Sequence, residues 1–577
     1  MTTMQGKKYQ WKLPVINNHD ALQIASSYNI SLPLAWTLLS RGLSTKELID
    51  RYLMSVKERD VTHPSQMKDT SKAVDRIIQA VRNNEKILIF GDYDVDGITS
   101  SALMMLCMVP LNAHINFFLP NRVRDGYGLS VSIIERAAKN GYKVVITVDN
   151  GVTAFEPAKR ARELGIDLII TDHHRPHDHL PESYALINPH QKECSYPYKF
   201  FAGVGVTFKL MSLLYEQLDR ELPDKVYELL LLGTVADVVP LTGENRFWVR
   251  HCLTRVNAGH SFALKVLKEN GKMSKEYISA SDIGFALAPQ INALGRLEDP
   301  REGVKFLIGS DEQEVAYVGQ ILAELNQARK EIERAILSEI INEVEQKRIN
   351  LDTESIILAA SDQWPPGVIG LIASRLVGAY HRPAILLHIT KEGIAKGSCR
   401  SIGAFNMFEA LAKCSDLLLS FGGHAVAAGL SLAVENLPAL KERLEKLLAQ
   451  EVGADDLIPT VTIDAPLRLG DLTKKIVTDL AFFEPFGNEN PQPTFYVERV
   501  TLVQQPLLLK DAHVKCLFFA DGIAKPIIFF NRPEIFQFLV DNSNDYFDIV
   551  AHINENNWQG KISIELIGID IARSVEK

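Results

Sequence analysis

From Lys86 to about Pro189 the chain alternates short, wholly apolar runs with segments whose apolar residues recur every three or four positions. The runs are KILIF, HINFFL, KVVITVD, DLIITD and YALINP, and between them lie stretches such as SVSIIERAAKNG and AFEPAKRARELG. Apolar runs without polar alternation suit strands buried on both faces, and amphipathic helices between them make the strands parallel neighbours in one sheet. The helix-rich stretch from Val204 to about Val256 extends this unit.

The pattern then changes twice. Asp311 to Arg348 contains no proline and repeats its apolar residues at helical spacing, which predicts one long helix, or two, bridging domains. A second α/β pattern follows from Glu354, with ESIILAA, GVIGLIASRLVGAY, PAILLHI, IAKGSCRS and a glycine-rich SFGGHAVAAGL. Beyond the polar segment from Glu451 to Asp456 come TFYVERVTLV, VKCLFFA, KPIIFF, FDIVAHI and KISIELIGIDIA, closely spaced strands that predict a small β-barrel of the OB type. The expected division is an N-terminal helical segment over 1–70, a parallel-sheet α/β domain over 71–310, a connecting helix over 311–350, a second α/β domain over 351–452 and the barrel over 453–577.

Composition changes this picture little. The 577 residues suffice for about three or four domains, and 46% hydrophobic with 23% charged residues describes an ordinary globular chain. A net charge of -9 carries no global basic signature, so a nucleic-acid partner must be held by local grooves. Cys107, Cys194, Cys252, Cys399, Cys414 and Cys516 are scattered without a C-x-x-C pair, which argues against a zinc ribbon or a disulfide framework and fits a reducing cytoplasm. The N-terminal MTTMQGKKYQWKLP lacks the apolar core of a signal peptide, and no stretch approaches a membrane-spanning length, so neither export nor a membrane partner is expected. A monomer is expected.

The chemistry starts at GDYDVDGITS, where Asp92, Asp94, Asp96 and Gly97 fill the first half of an EF-hand calcium loop. The twelfth position of such a loop should be a bidentate glutamate, and here it is Leu103; the loop should also follow a helix, whereas KILIF is a strand. The aspartates therefore stand on a strand-to-helix turn, where open α/β sheets place their ligands. Three more groups end apolar segments: Asp149 after KVVITV, Asp172, His173 and His174 after DLIIT, and Asp237 in ELLLLGTVADVVPL. Alone, Asp149 in VDNG reads equally as turn chemistry, DHHRPHDH as a solvated loop and Asp237 as a helix cap. Together, carboxylates and imidazoles at the ends of strands of one sheet suit Mn2+ or Mg2+, and two such ions can activate a water and neutralise a phosphoryl group.

The ordered set GDYDVDG, VDNG, TDHH and GTVADVVP resembles the DHH phosphoesterase superfamily. NRVRDGYGLS, PQINALGR, KGSCRS and FGGHAVAAG extend the likeness to its RecJ branch, single-strand-specific 5′→3′ DNA exonucleases, from about residue 70 into the barrel. The resemblance implies a DHH catalytic domain, a DHHA1 accessory domain and a two-ion site of Mn2+ or Mg2+. It implies Asp94, Asp96, Asp149, His173 and Asp237 as metal ligands, Asp92 as a ligand or close support, His174 as hydrogen-bond donor or general acid, and Asp172 as the group orienting both imidazoles. Asn292 and Arg296 would serve the scissile phosphate, Arg122, Ser398 and Arg400 the 5′ end, and His424 the nucleic-acid backbone. It further implies that single-stranded DNA enters 5′ end first, that nucleoside 5′-monophosphates leave, and that a helicase and the single-strand-binding protein are partners in recombination and mismatch repair. A DHH enzyme acting on oligoribonucleotides, cyclic dinucleotides or pyrophosphate would not need the barrel, and a non-catalytic DNA-binding scaffold would not need the full acidic set. One position departs from the family pattern: PFGNENPQP carries Glu489 where a glycine is expected.

Overall fold

The computed structural model describes residues 3–15, 17–121, 128–259, 261–558 and 561–574. The chain divides into two units, one comprising Thr45–Gln327 with the returning segment Phe483–Gln492, the other Met1–Ser44, Ala328–Phe482 and Pro493–Lys577.

The first unit is built on five parallel strands, β1 (Lys86–Gly91), β2 (Ile115–Phe118), β3 (Tyr142–Val148), β4 (Asp167–Thr171) and β5 (Ala185–Ile187), in the order β2-β1-β3-β4-β5. The chain leaves β1 toward one side of the sheet and continues outward on the other from β3, so a crevice opens between the carboxyl ends of β1 and β3. Register sharpens this: Gly91 pairs with Val148, and Val148 with Thr171. Asp92, Asp149 and Asp172, each the next residue, thus leave the sheet edge side by side.

Both faces of the sheet are covered, as the unbroken apolar runs require. Ile87, Ile89, Val144 and Ile146 pack under α1 (Val95–Met108), α4 (Gly203–Gln217) and α5 (Lys225–Ala236); Leu88, Phe90, Val145 and Ile170 pack under α2 (Val131–Lys139) and α3 (Phe155–Glu163). On α4 the buried Lys209 ammonium donates to Glu244 at 2.6 Å, and burial lowers the pKa of that lysine. A π-helical turn at Ile283–Leu287 leads into α6 (Ala288–Leu297).

The expected connector is a single helix, α7 (Glu312–Glu345). After it the second unit carries a mixed five-stranded sheet of β6 (Ile357–Ser361), β7 (Ala384–Ile389), β8 (Ile394–Arg400), β9 (Ser420–His424) and β10 (Ala427–Ala433), in the order β9-β10-β8-β7-β6, with α8 (Pro366–Tyr380) and α9 (Leu437–Glu451) packed on it. The barrel follows: β11 (Phe495–Leu502), β12 (His513–Ala520), β13 (Ile523–Phe529), β14 (Tyr546–Trp558) and β15 (Lys561–Arg573) run in the order β11-β14-β15-β13-β12, and Thr501 of β11 pairs back to Phe519 of β12. That last pairing closes five strands into a ring, as in an OB fold.

The N-terminal segment is not helical throughout. Helices at Asn18–Tyr28 and Leu32–Ser40 are preceded by strands Thr3–Gln5 and Gln10–Lys12, the second of which pairs with Thr460–Thr462. The reason is Trp11, fully buried with its indole N–H on Asp570 at 3.0 Å, while its polar neighbours Gln10 and Lys12 are less buried: a strand alternation too short to read by periodicity. All six cysteines are unpaired and buried, and no described helix is long and apolar enough to cross a membrane.

Candidate metal centre

The turn after β1 is wound tightly around its own backbone. Asp92 accepts from the Tyr93 N–H at 2.7 Å, and Asp94 caps α1 by accepting from the Gly97 N–H at 3.1 Å. A Cβ on Gly97 would stand 2.4 Å from the Asp92 carbonyl oxygen, so the return past Asp92 requires a glycine there. Asp96, in the first turn of α1, points at the start of α4: its two oxygens accept from the Gly203 and Val204 N–H groups at 2.6 and 2.8 Å. Those are amides that a helix N-terminus leaves free, and they fix the carboxylate in one orientation.

Asp149 follows β3 in a left-handed conformation, φ 62°. Asn150 locks the bend, donating to the Val148 and Phe90 carbonyls at 2.9 and 3.3 Å. After β4, the buried Asp172 spends both oxygens on positioning: one accepts from the Val152 N–H at 2.8 Å, the other from the His173 and His174 N–H groups and from His174 Nδ1 at 2.7 Å. The His174 ring is thereby held with its other nitrogen unclaimed by Asp172. Asp237 ends α5.

These groups meet. His173 Nε2 lies 3.2 Å from Asp149 Oδ1, 3.6 Å from Asp237 Oδ2 and 3.9 Å from Asp96 Oδ2. Three sets of ligand atoms each fall within 4.8 Å of one another: Asp92, Asp94 and Asp149; Asp96, His173 and Asp237; and Asp149, His173 and His174. Asp149 and His173 are each shared by two sets, so the three sets form one continuous cluster. Among the described residues, Asp149 Oδ1 and His173 Nε2 are buried without a hydrogen-bond partner. Two unpartnered acceptor atoms 3.2 Å apart in a buried acidic site fit a bound cation.

The electrostatics agree. Burial and then the neighbouring Asp94 push Asp92 up to about 8 and Asp96 to about 7. Burial and then the Asp96 charge raise Asp149 and Asp237 well above the usual carboxylate range. Burial and the adjacent His174 lower His173 to about 4, so its imidazole is neutral at pH 7 and free to offer a lone pair. For His174 burial works downward but loses to the hydrogen bond and charge of Asp172, which bring it to about 9; Asp172 in turn is lowered by that bond against its own burial. One imidazole is therefore a lone-pair donor and its neighbour a cation.

Asn292, expected at the phosphate, has its side-chain oxygen on the Val95 N–H at 3.2 Å and so braces the acidic turn from α6. Gly295 of the same helix lies where a Cβ would be 2.2 Å from the Tyr93 carbonyl oxygen. Arg296, four residues after Asn292, is on the same face and partly buried. Arg122 lies outside the described residues. In the second unit, Ser398 and Arg400 share one face of β8, the guanidinium donating to the Ser398 hydroxyl at 2.8 Å, and Gly370 of α8 packs so close that a Cβ there would stand 2.9 Å from the Ser398 hydroxyl oxygen and 3.3 Å from the Arg400 guanidinium. His424 is exposed at the end of the edge strand β9. Sequence reasoning missed Asn150, Asn292 as a brace, and the Gly203–Val204 amides; the last were signalled by glycines opening an apolar helix in FFAGVGVTF.

Three family models match: the DHH family, N-terminal domain, over residues 86–234; the DHHA1 domain over 353–450; and the RecJ OB domain over 463–570. Single-stranded-DNA-specific exonuclease RecJ of Bacillus subtilis is 36% identical over 573 residues, covering 99% of this chain and 72% of the relative. Its Escherichia coli namesake is 34% identical, covering 92% of this chain and 93% of the relative. The crystal structure of RecJ in complex with Mn2+ from Thermus thermophilus superposes with a TM-score of 0.82 at 25% identity, covering 98% of this chain and 80% of that one.

Proposed function

The chain belongs to the RecJ family of single-stranded-DNA-specific exonucleases, and we propose that it removes nucleoside 5′-monophosphates from the 5′ end of single-stranded DNA at a centre for two Mn2+ or Mg2+ ions. The observation that carries this reading is the convergence of Asp92, Asp94, Asp96, Asp149, His173 and Asp237, from segments far apart in the chain, around buried and unpartnered Asp149 Oδ1 and His173 Nε2. Asp92, Asp94 and Asp149 would hold one ion, and Asp96, Asp149, His173 and Asp237 the other. Bound there, the ions would supply positive charge to the phosphoryl oxygens and make a water more acidic.

The rest of the chemistry belongs to the side chains. His174, held protonated by Asp172, donates a hydrogen bond to the phosphate and stabilises charge developing in the transition state. Arg296 offers a planar fork to a nonbridging oxygen. Asn292 keeps the Asp94–Asp96 turn in shape through the Val95 N–H. Ser398 and Arg400, with Arg122, take the 5′-terminal phosphate, His424 approaches the backbone, and the barrel holds the trailing strand by stacking and backbone contacts. Local cations and bound ions thus serve a polyanion on a chain whose net charge is -9. In the cell the enzyme would work as a cytoplasmic monomer beside a helicase and the single-strand-binding protein, in recombination and mismatch repair.

The test is incubation with Mn2+ or Mg2+ and long strands labelled at either end, with duplex and RNA controls. Mononucleotides appearing first from the 5′ label of single-stranded DNA support the proposal. Inactivity on DNA, or release from the 3′ end first, overturns it.

A further inference from the structure

Asp237 is delivered to the centre differently from the other acids. Asp92, Asp149 and Asp172 follow sheet strands whose registers place them, whereas Asp237 is the C-cap of α5, tied to the helix through its N–H on the Gly233 carbonyl at 3.0 Å but with no following helical turn. The next residue, Val238, has φ 57°. A β-branched side chain in the left-handed region is strained, and Val238 is also 65% exposed, so no apolar burial of its own holds it there.

What holds it is a distant stretch of the same unit. The Asn488 side-chain amide donates to the Val238 carbonyl at 2.8 Å, and the Asn488 carbonyl accepts from the Leu241 N–H at 2.8 Å. Gly487 lies so close that a Cβ there would meet Leu241 Cδ1 at 2.6 Å. The loop making these contacts is itself anchored. Buried Asn490 donates to the Phe483 and Pro485 carbonyls at 3.0 and 2.7 Å and accepts from the Tyr52 hydroxyl at 2.8 Å, while Arg246 donates to the Phe483 carbonyl at 3.0 Å.

We infer that the Gly487–Asn488 loop is a clamp that keeps Val238 in its left-handed bend and so holds the Asp237 carboxylate at the metal centre, making Asn488 a positioning residue for the metal. This rests on the reading of Asp237 as a ligand. The strain at Val238 makes the arrangement directional: without the clamp, the bend relaxes toward ordinary backbone angles and carries Asp237 off the end of α5.

The experiment is titration of free Mn2+ by electron paramagnetic resonance on the full chain, with turnover at saturating Mn2+ and a thermal melt alongside, for Asn488→Ala, Val238→Gly, their combination and Asp237→Asn. Asn488→Ala should weaken the Asp237-linked ion by about tenfold, as loss of a partner behind a metal ligand generally does, with most turnover recovered at high Mn2+. Val238→Gly alone should bind as wild type does, because glycine accepts the bend without strain, and in combination it should restore most of the affinity lost in Asn488→Ala. Wild-type Mn2+ affinity in Asn488→Ala, or the lack of any rescue by Val238→Gly, overturns the clamp. Unchanged Mn2+ affinity in Asp237→Asn instead overturns the ligand reading beneath it.

Discussion

Gly203→Ala puts one carbon against Asp149, where α4 meets the turn after β3. The added Cβ would lie 2.5 Å from Asp149 Cβ and 2.6 Å from Asp149 Oδ1, where ordinary contact begins at 3.4 Å, so something must yield by nearly an ångström. Asp149 cannot easily be the part that moves, since its left-handed bend is locked by Asn150. Helix α4 must then back away, which stretches the 2.6 Å bond from Gly203 N–H to Asp96 and frees that carboxylate to turn. Either response misplaces one of the converging carboxylates by about 1 Å, which on the proposed reading costs on the order of a hundredfold in rate, or about 3 kcal/mol of transition-state stabilisation. Overpacking of this kind also costs about 1–3 kcal/mol of folding stability, so the variant remains folded at assay temperature. The assay is single-turnover release of the 5′-terminal nucleotide at saturating Mn2+, with a melting curve. A rate within about threefold of wild type would refute the claim that the start of α4 positions the acids.

Removing metal should make stability pH-dependent in a defined direction: with Asp92 and Asp96 raised to about 8 and 7, their contribution is full below the ordinary carboxylate range and is lost as pH rises through those values. In chelator the melting temperature should therefore fall between about pH 5 and 8, and Mn2+ should abolish the slope; a flat chelated profile contradicts it. Glu489, at φ 56° in the turn closed by Gly487 and Asn490, should be improved by Glu489→Gly, by about 1 kcal/mol or about 2 °C in a melting scan, and a fall in melting temperature would reverse the assignment. Lys209→Met leaves the Glu244 carboxylate buried and unpaired and should cost about 3–5 kcal/mol in urea unfolding, part of it recovered by adding Glu244→Gln, whose oxygen still accepts from the Thr62 N–H while its NH2 donates to the Tyr196 hydroxyl oxygen, that hydroxyl donating to the Thr62 carbonyl; a cost near zero would mean the pair is not buried as described.

The parallel sheet and the placement of the acids were legible because both depend on local pattern: unbroken apolar runs mark strands covered on both faces, and a polar residue ending such a run lands on one edge of the sheet. Glu489 was visible as an anomaly, and its left-handed backbone explains why a glycine belongs there. What the pattern hid is non-local. Trp11 sits in a three-residue strand whose partner begins at Thr460. Nothing in PQINALGR signals that the Asn292 side-chain oxygen accepts from the Val95 N–H, a contact between segments nearly two hundred residues apart. Backbone amides such as those of Gly203 and Val204 leave only an indirect mark, the glycines that open the apolar helix in FFAGVGVTF, and which carboxylate they hold becomes visible only in three dimensions.

The central claim, that Asp149 bridges two ions, is tested most directly by Mn2+ stoichiometry. Electron paramagnetic resonance of the Mn2+-loaded full chain should give two bound ions per chain with the spectrum of a spin-coupled pair, and Asp149→Ala should lose the coupling and exonuclease turnover together while the chain still binds single-stranded DNA. A single uncoupled ion in the wild type, or an intact coupled pair in Asp149→Ala, would contradict it.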